Sequence, residues 1–371
     1  MIASTSAAWR TPLCERLGIA HPIFGFSHSV DVVVAIASAG GYPVLGLARE
    51  MPHEIPEILR VVDERMQGLP YGVDLMLPSQ VPQTGDINAV RAALPQPHLD
   101  FVAGLREKFA VPAPVKPSFF TSQVRSEDLF ESQIEQVLAS NANGVATAIG
   151  LREDLIARAK ARGKTTFALI GSVRHAQKAL AMGVDVLVAQ GYDAGGHTGL
   201  VGTFSLVPQI VAVAGEAPVL AAGGIGNGAQ ILAAMAMGAQ GGWLGTLWMA
   251  TDENHTPPAL LARLVASGSE DTVITRAHSG KPCRVVRSAW IDAWAEPSAP
   301  AALPMPLQQA LTGDVFASIH EHNNQALIYE AAGQSVFAIR GRTTVAQQMQ
   351  ELVADMQKAG SRLRGFAVTD P

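Results

Sequence analysis

Cysteine is nearly absent: the 371 residues contain two, Cys14 and Cys283. That is too few for a disulfide framework, a zinc finger or an iron–sulfur site. Charge is sparse as well, with Asp, Glu, Lys and Arg making up 16% of the chain and a formal net charge of −5. The missing basic surplus excludes a non-specific binder of nucleic acid or of anionic membrane. Aromatics reach only 6%, yet hydrophobic residues are 48%, too apolar for disorder and enough to bury a large core. The start, MIASTSAAWRTPLCERLG, lacks a basic region followed by an apolar run, so no secretory signal is read and a cytoplasmic location is expected.

A mean hydropathy of +0.19 makes a membrane span worth testing. Residues 217–251 carry no charged side chain but contain eight glycines together with Asn227, Gln230 and Gln240. Buried parallel strands also read as uninterrupted apolar runs, because helices cover both faces of their sheet. The stretch is therefore expected to split into strand, turn, helix and strand, with no membrane partner.

What the chain has in abundance is glycine, 35 residues, and proline, 23, spread as tight turns between short apolar runs and helical patterns. Eight runs can be counted: residues 21–26 (HPIFGF), 42–47, 71–77 (YGVDLML), 144–150 (GVATAIG), 165–171 (TTFALIG), 185–191 (DVLVAQG), 218–224 (PVLAAGG) and 241–246 (GGWLGT). Helical patterns lie between them, and a long polar segment, 78–117, interrupts the series. Eight strand–helix units in about 250 residues predict an α/β TIM (β/α)8 barrel; a doubly wound sheet is the alternative. After Thr251 the pattern changes. Residues 257–266 and 305–332 look helical, 276–294 are basic and irregular, and 343–358 read as a closing helix. The expected division is a barrel over 1–250, completed by 335–371, with a mostly helical lid subdomain over 251–334.

In this fold the active site lies at the C-terminal ends of the strands, and the glycine clusters fall there. The seventh run ends in Gly223-Gly224-Ile225-Gly226-Asn227-Gly228, opening straight into a helix whose free N–H groups suit a phosphate. The eighth ends in Gly245-Thr246, a second backbone-donor turn; the plainer reading makes both simply tight turns. A dinucleotide fingerprint is not matched, since no ribose-binding acid follows at the required distance. The sixth run leads into Gln190-Gly191-Tyr192-Asp193-Ala194-Gly195-Gly196-His197. An amide, three glycines and one histidine suit a site for a planar polar ring, and a functional His197 is weighed against a structural one. No metal site is expected: His320 and His322 lie two apart on a helix and face apart, while His255 and His278 stand alone.

The segments AQGYDAGGHTG, VLAAGGIGNG and WLGT resemble the nitronate monooxygenase family, formerly 2-nitropropane dioxygenases. PIFGF, ASAGG, YGVDLMLP, SGKPCRVVRSAW and the AGQS turn at 332–335 extend the resemblance over nearly the whole chain. It implies FMN at the barrel mouth and His197 as the catalytic residue. Gln190 and Gly195 would contact the flavin ring or ribityl chain, and Gly223, Gly224, Gly245 and Thr246 the phosphate. Phe24, Gly25, Phe26, Asp74, Gly196 and Trp243 complete the implied cofactor-binding set. Asp74 stands where the family usually has asparagine, Asp193 where it has glutamate, and Phe24–Phe26 where it has a methionine-containing turn.

The function so implied is FMN-dependent oxidation of alkyl nitronates or nitroalkanes to carbonyl compounds and nitrite with O2. His197 would act as base or hydrogen-bond partner, and Arg276, Lys281, Arg284 and Arg287 would attract an anionic substrate. The alternative is an NAD(P)H-dependent enoyl reductase or related flavin oxidoreductase, whose loops resemble these. A flavin-free phosphate-binding barrel and a non-catalytic flavin binder are the other classes considered. The expected partners are a small-molecule substrate and O2, with a homodimer left open.

Overall fold

The computed structural model describes residues 9–366 apart from 79, 80 and 84. Among the described residues eleven strands are formed: β1 Ile23–Ser27, β2 Tyr42–Gly46, β3 Gly72–Met76, β4 Gly144–Ala148, β5 Thr165–Ile170, β6 Val186–Gln190, β7 Gly196–His197, β8 Val219–Ala222, β9 Gly242–Leu244, β10 Thr272–Thr275 and β11 Cys283–Val286. Strands β1 to β6, β8 and β9 pair in parallel and close into a barrel, β9 returning to β1 with Trp243 opposite Phe24. This is the (β/α)8 barrel the spacing predicts, not an open sheet. Its eight apolar runs coincide with its eight barrel strands.

Side-chain alternation along each strand sends every second residue into the barrel. Phe24, Tyr42, Phe167 and Trp243 meet there, with ring centroids 5.5–6.5 Å apart. Helix Pro12–Leu17 closes the N-terminal end by adding Leu13, Cys14 and Leu17 to the same core. It is pinned by Thr11 Oγ1 donating to the Gln240 carbonyl at 2.9 Å and Leu13 N donating to Gln240 Oε1 at 2.9 Å. With that end filled by aromatic rings, access to the interior is left at the C-terminal rim.

The eighth barrel helix, Val345–Arg364, arrives only after a long excursion. Thr344 caps it reciprocally with Gln347. It packs so closely on helix Gly228–Ala236 that a Cβ at Gly228 would lie 1.9 Å from the Leu352 carbonyl oxygen.

Two excursions build the cap over the rim. One follows β3 and carries helices Ile87–Ala92, Gln96–Lys108 and Phe119–Ser122; the other follows β9 and carries Pro258–Ala266, β10, β11, Ala289–Ala295 and Leu307–Glu321. They interlock: Ser118 N donates to Asp314 Oδ1 at 2.9 Å, Ser318 Oγ donates to the Pro112 carbonyl at 2.8 Å, and Phe101 meets Trp294 edge-on at 4.9 Å. The cap also contains a small antiparallel sheet, β10-β11-β7. Residues 276–294 read as irregular because Arg284 interrupts an apolar pattern, but here the arginine is 5% exposed. Its Nε and Nη1 donate to the Tyr192 and Thr272 carbonyls at 2.9 Å, and its guanidinium lies 5.4 Å from the Tyr192 ring. Helix Leu307–Glu321 likewise stops short of 332, leaving the chain after Asn323 to run across the rim. None of the described helices is long and apolar enough to cross a membrane.

Candidate active site at the barrel rim

Residues sharing an inward face climb from the aromatic floor to the rim. On β3 these are Gly72, whose Cβ direction points at the Tyr42 ring, then Asp74 and Met76. The flanking register partners of Asp74 are Gly46 and Ala146, small residues that leave space around its carboxyl. Asp74 is 5% exposed and its Oδ1 has no hydrogen-bond partner. Burial alone raises its pKa from the ordinary carboxylate range to about 7.

Across the mouth, β6 ends in Gln190, whose Nε2 donates to the His197 carbonyl at 3.4 Å. The following loop turns back so that Gly196 and His197 pair with Arg284 and Cys283 of β11. This places His197 Nε2 2.7 Å from the fully buried Ser279 hydroxyl. Burial lowers His197 to about 3, and His278, Arg125, Lys281 and Arg49 push in the same direction. His28 and His278 are also lowered, first by burial, His278 to about 4. Glu330 runs against this set. Burial favours its neutral form, but Arg49, 4.0 Å away, His320 and His278 hold its carboxyl well below the usual range. At neutral pH the rim therefore presents neutral histidines among Arg49, Arg125 and Lys281, with Glu330 as the opposing charge.

The glycine turns supply backbone rather than side chains. Gly196, Gly223 and Gly224 have φ of +82°, +102° and +70°, the left-handed region that disfavours other residues. A Cβ at Gly196 would meet nothing within 4 Å, and one at Gly245 only the Phe26 carbonyl oxygen at 4.0 Å. Both face open space. Gly195 instead lies against the Ala332–Gly333 backbone, where a Cβ would come within 2.7 Å, and Thr246 Oγ1 accepts from Gly333 N at 2.9 Å. The 332–335 turn thus locks both loops. Asn227 Oδ1 caps the helix that follows Gly224, accepting from Gln230 N at 2.9 Å, and Gln230 Oε1 takes Gly226 N at 2.7 Å. That helix end is partly satisfied by its own side chains, so the free donors expected there shift toward Gly224 itself.

The rim thus brings together Asp74, Gln190, Gly196, His197, Gly223, Gly224, Gly245 and Thr246, with the Phe26 ring beside His28 at 5.2 Å. Phe24 and Trp243 point into the floor, and Gly25 faces outward, its Cβ direction blocked by Ile36 and Trp248. These three support the site from below and behind. Of the four basic residues of 276–294, Lys281 alone adds its charge at His197. Arg284 is engaged in the small sheet, Arg287 bonds Asp292 on the surface at 2.6 Å, and Arg276 bonds the Gly280 carbonyl at 3.0 Å. The cations not anticipated are Arg49 and Arg125. Arg49 and His28 each lie just past a barrel strand, at the end where this fold keeps its chemistry, so that signal was available. Nothing local marks Arg125, Ser279 or Glu330.

A flavin fits this rim. Three buried polar atoms at this end, Asp74 Oδ1, Arg125 Nε and Thr198 Oγ1, have no partner, and two glycines open onto free space. Among the described residues no group of His, Cys, Asp or Glu is arranged to hold a metal ion.

A closed parallel barrel whose buried polar groups and glycine turns gather at the C-terminal rim has the architecture of a barrel enzyme. The nitronate monooxygenase family model matches residues 11–355: the chain belongs to this family and is a flavin-type oxidoreductase. It is 38% identical over 363 residues to a protein named as a monooxygenase in Mycobacterium tuberculosis, covering 94% of this chain and 95% of that one. It is 28% identical over 342 residues to Staphylococcus aureus proteins named as nitronate monooxygenase, covering 87% and 91%. Among solved structures, nitroalkane oxidase from Streptomyces ansochromogenes superposes with a TM-score of 0.80 at 24% identity, over 95% of this chain and all of that one.

The two glycine turns can be separated experimentally. A side chain at Gly224 is strained by the backbone whatever is bound. Gly245 has φ −129° and room for a methyl group, so Gly245→Ala is expected to fold normally. Flavin retention by that variant is expected to fall at least tenfold, measured as bound flavin absorbance per protein. Undiminished retention would show that no ligand group approaches Gly245.

Proposed function

We propose that the protein is an FMN-dependent monooxygenase that oxidises alkyl nitronates to carbonyl compounds and nitrite, using O2. The observation that carries this reading is the buried rim, where His197 is held neutral against the Ser279 hydroxyl and Arg125 is buried with no carboxylate partner, the charges of Arg125, Lys281 and Arg49 all acting to keep the imidazole unprotonated. Such a surface stabilises an anion and disfavours creating another cation. The chemistry FMN supplies when bound is acceptance of electrons from the substrate and their return to O2. In this reading Gln190, Gly195 and Gly196 line the ring and ribityl chain, Asp74 meets the ring edge, and Gly223, Gly224, Gly245 and Thr246 hold the phosphate. Phe24, Gly25, Phe26 and Trp243 shape the floor and wall. Residues 251–334, interlocked with helices Ile87–Ala92, Gln96–Lys108 and Phe119–Ser122 of the other excursion, act as the lid over the barrel.

The role of His197 follows from its surroundings. A nitronate has already lost its carbon-bound proton, so His197 serves it as a hydrogen-bond partner held by Ser279. A neutral nitroalkane requires a base, and protonating His197 beside three cations opposes that step. Two results are therefore expected. The enzyme should turn over nitronates with higher kcat/KM than their neutral nitroalkanes. His197→Asn should retain flavin and, because so weak a base contributes little to proton removal, lower kcat/KM on the neutral substrate by no more than about tenfold, with a similar or smaller loss on the nitronate. Steady-state kinetics with both forms, under air and with anaerobic flavin reduction, provides the check. Rapid anaerobic bleaching by NAD(P)H but not by nitronate would overturn the reading in favour of a reductase.

A further inference from the structure

Arg125 is a charge without a counter-charge. It is 5% exposed, and among the described residues no carboxylate lies within 4.0 Å of it. Its Nη1 lies 2.9 Å from Met76 Sδ, its Nη2 3.5 Å from the Ala48 carbonyl oxygen, and its Nε has no partner. A thioether and one long carbonyl contact are weak partners for five guanidinium donors. Leaving a buried cation in that state is costly.

The nearby acids do not supply the missing charge. Asp74 is buried at the same end, yet burial alone governs its carboxyl, with no cation close enough to pull it down. Glu330 is engaged by Arg49. A buried carboxyl and a buried guanidinium thus sit at the same end of the barrel without pairing, as expected when a ligand lies between them.

Position points the same way. Met76 is on the inward face of β3 and Ala48 lies just beyond β2, so the guanidinium sits over the mouth between these strands. From there it lowers the proton affinity of His197, His278 and Lys281. The cap holds it in place. The Phe120 ring lies 5.1 Å from its guanidinium carbon, and helix Phe119–Ser122 is fastened to Leu307–Glu321 by the Ser118–Asp314 bond and by close packing on Gly313.

We propose that Arg125 is a specificity-determining residue whose guanidinium binds the oxyanion of the substrate, selecting planar oxyanions such as nitronates and carboxylates over their neutral analogues. The inference rests on the preceding reading for the location of the substrate. A planar fork matches a two-oxygen anion in a way a lysine does not.

The test uses the flavin-loaded enzyme and propionate, a non-reacting carboxylate, followed by the flavin absorbance change. Propionate is expected to bind saturably and its neutral counterpart propionamide at least tenfold more weakly. Arg125→Gln is expected to raise the propionate Kd at least tenfold, and to raise KM for an alkyl nitronate more than it lowers kcat. Arg125→Lys is expected to fall between, at roughly three- to tenfold. A propionate Kd within twofold of the parent in Arg125→Gln overturns the proposal, as does equal binding of propionamide. Should Arg125→Gln lose its flavin, Arg125→Lys decides, and an unchanged Kd there overturns it equally. Propionate binding without any nitronate oxidation would sink the proposed function and leave the anion site standing. Nitronate oxidation with an unchanged KM in Arg125→Gln would do the reverse.

Discussion

Lowering the pH from 7 to 5 is expected to destabilise the protein by about 3 kcal/mol, before most carboxylates titrate. The sign follows from His197 and His278, held near 3 and 4 against an unfolded value of 6.5. Below pH 6.5 the unfolded chain binds protons that the folded chain refuses, so stability is intact above that value and falls as pH drops toward the folded values. At about 1.4 kcal/mol per unit, each of these histidines contributes a loss of about 2 kcal/mol by pH 5. His28, shifted in the same direction, adds to it. Asp74 works the opposite way and returns about 2 kcal/mol over the same interval. The net loss is a large part of the stability of an ordinary domain. Urea unfolding at pH 7, 6 and 5 measures it, and His278→Gln should remove about 2 kcal/mol of the pH dependence whatever it does to absolute stability. A flat profile, or an unchanged slope in that variant, would show that these rings are hydrated.

The barrel is legible in the sequence because each of its strands is buried on both faces, so burial appears as a short apolar run whatever the rest of the chain does. The glycine turns are legible for a related reason: positive φ at Gly196, Gly223 and Gly224 leaves little choice of residue. The cap is harder. Its insert after β3 reads as a polar, proline-containing interruption, and only packing against helix Leu307–Glu321 shows it to be half of one structure. Strand β11 is masked by a buried arginine whose partners, the Tyr192 and Thr272 carbonyls, are backbone atoms that no side-chain pattern advertises.

The rim chemistry is the least legible part, because it is assembled from chain segments far apart in sequence. His278 stands alone along the chain but faces Tyr329, Phe316 and the field of Arg49 and Glu330 in space. Arg125 precedes an ordinary surface helix and gains its position from Phe120 and Met76. The basic stretch 276–294 illustrates the reverse error. Sequence proximity groups four cations there, and the fold sends one of them to the site.

Asp74→Asn is expected to stabilise the protein, and increasingly so as pH rises. In the unfolded chain Asp74 ionises near 3.8, whereas burial in the barrel holds it to about 7. Between those values the folded state keeps a proton that the unfolded state releases, so the carboxyl makes folding less favourable as pH climbs, and the penalty levels off above 7. An amide of nearly the same shape does not titrate. The stability difference between Asp74→Asn and the parent should therefore widen by about 3 kcal/mol from pH 5 to pH 8. Urea unfolding of both proteins at matched flavin content measures this. The same substitution removes a negative charge from beside the proposed ring edge at high pH, so it should also make flavin reduction easier at pH 8 than in the parent, with little difference at pH 5. A stability difference independent of pH would mean that the Asp74 carboxyl is already ionised at pH 5, held by a partner that its orphaned oxygen does not have in the unliganded protein.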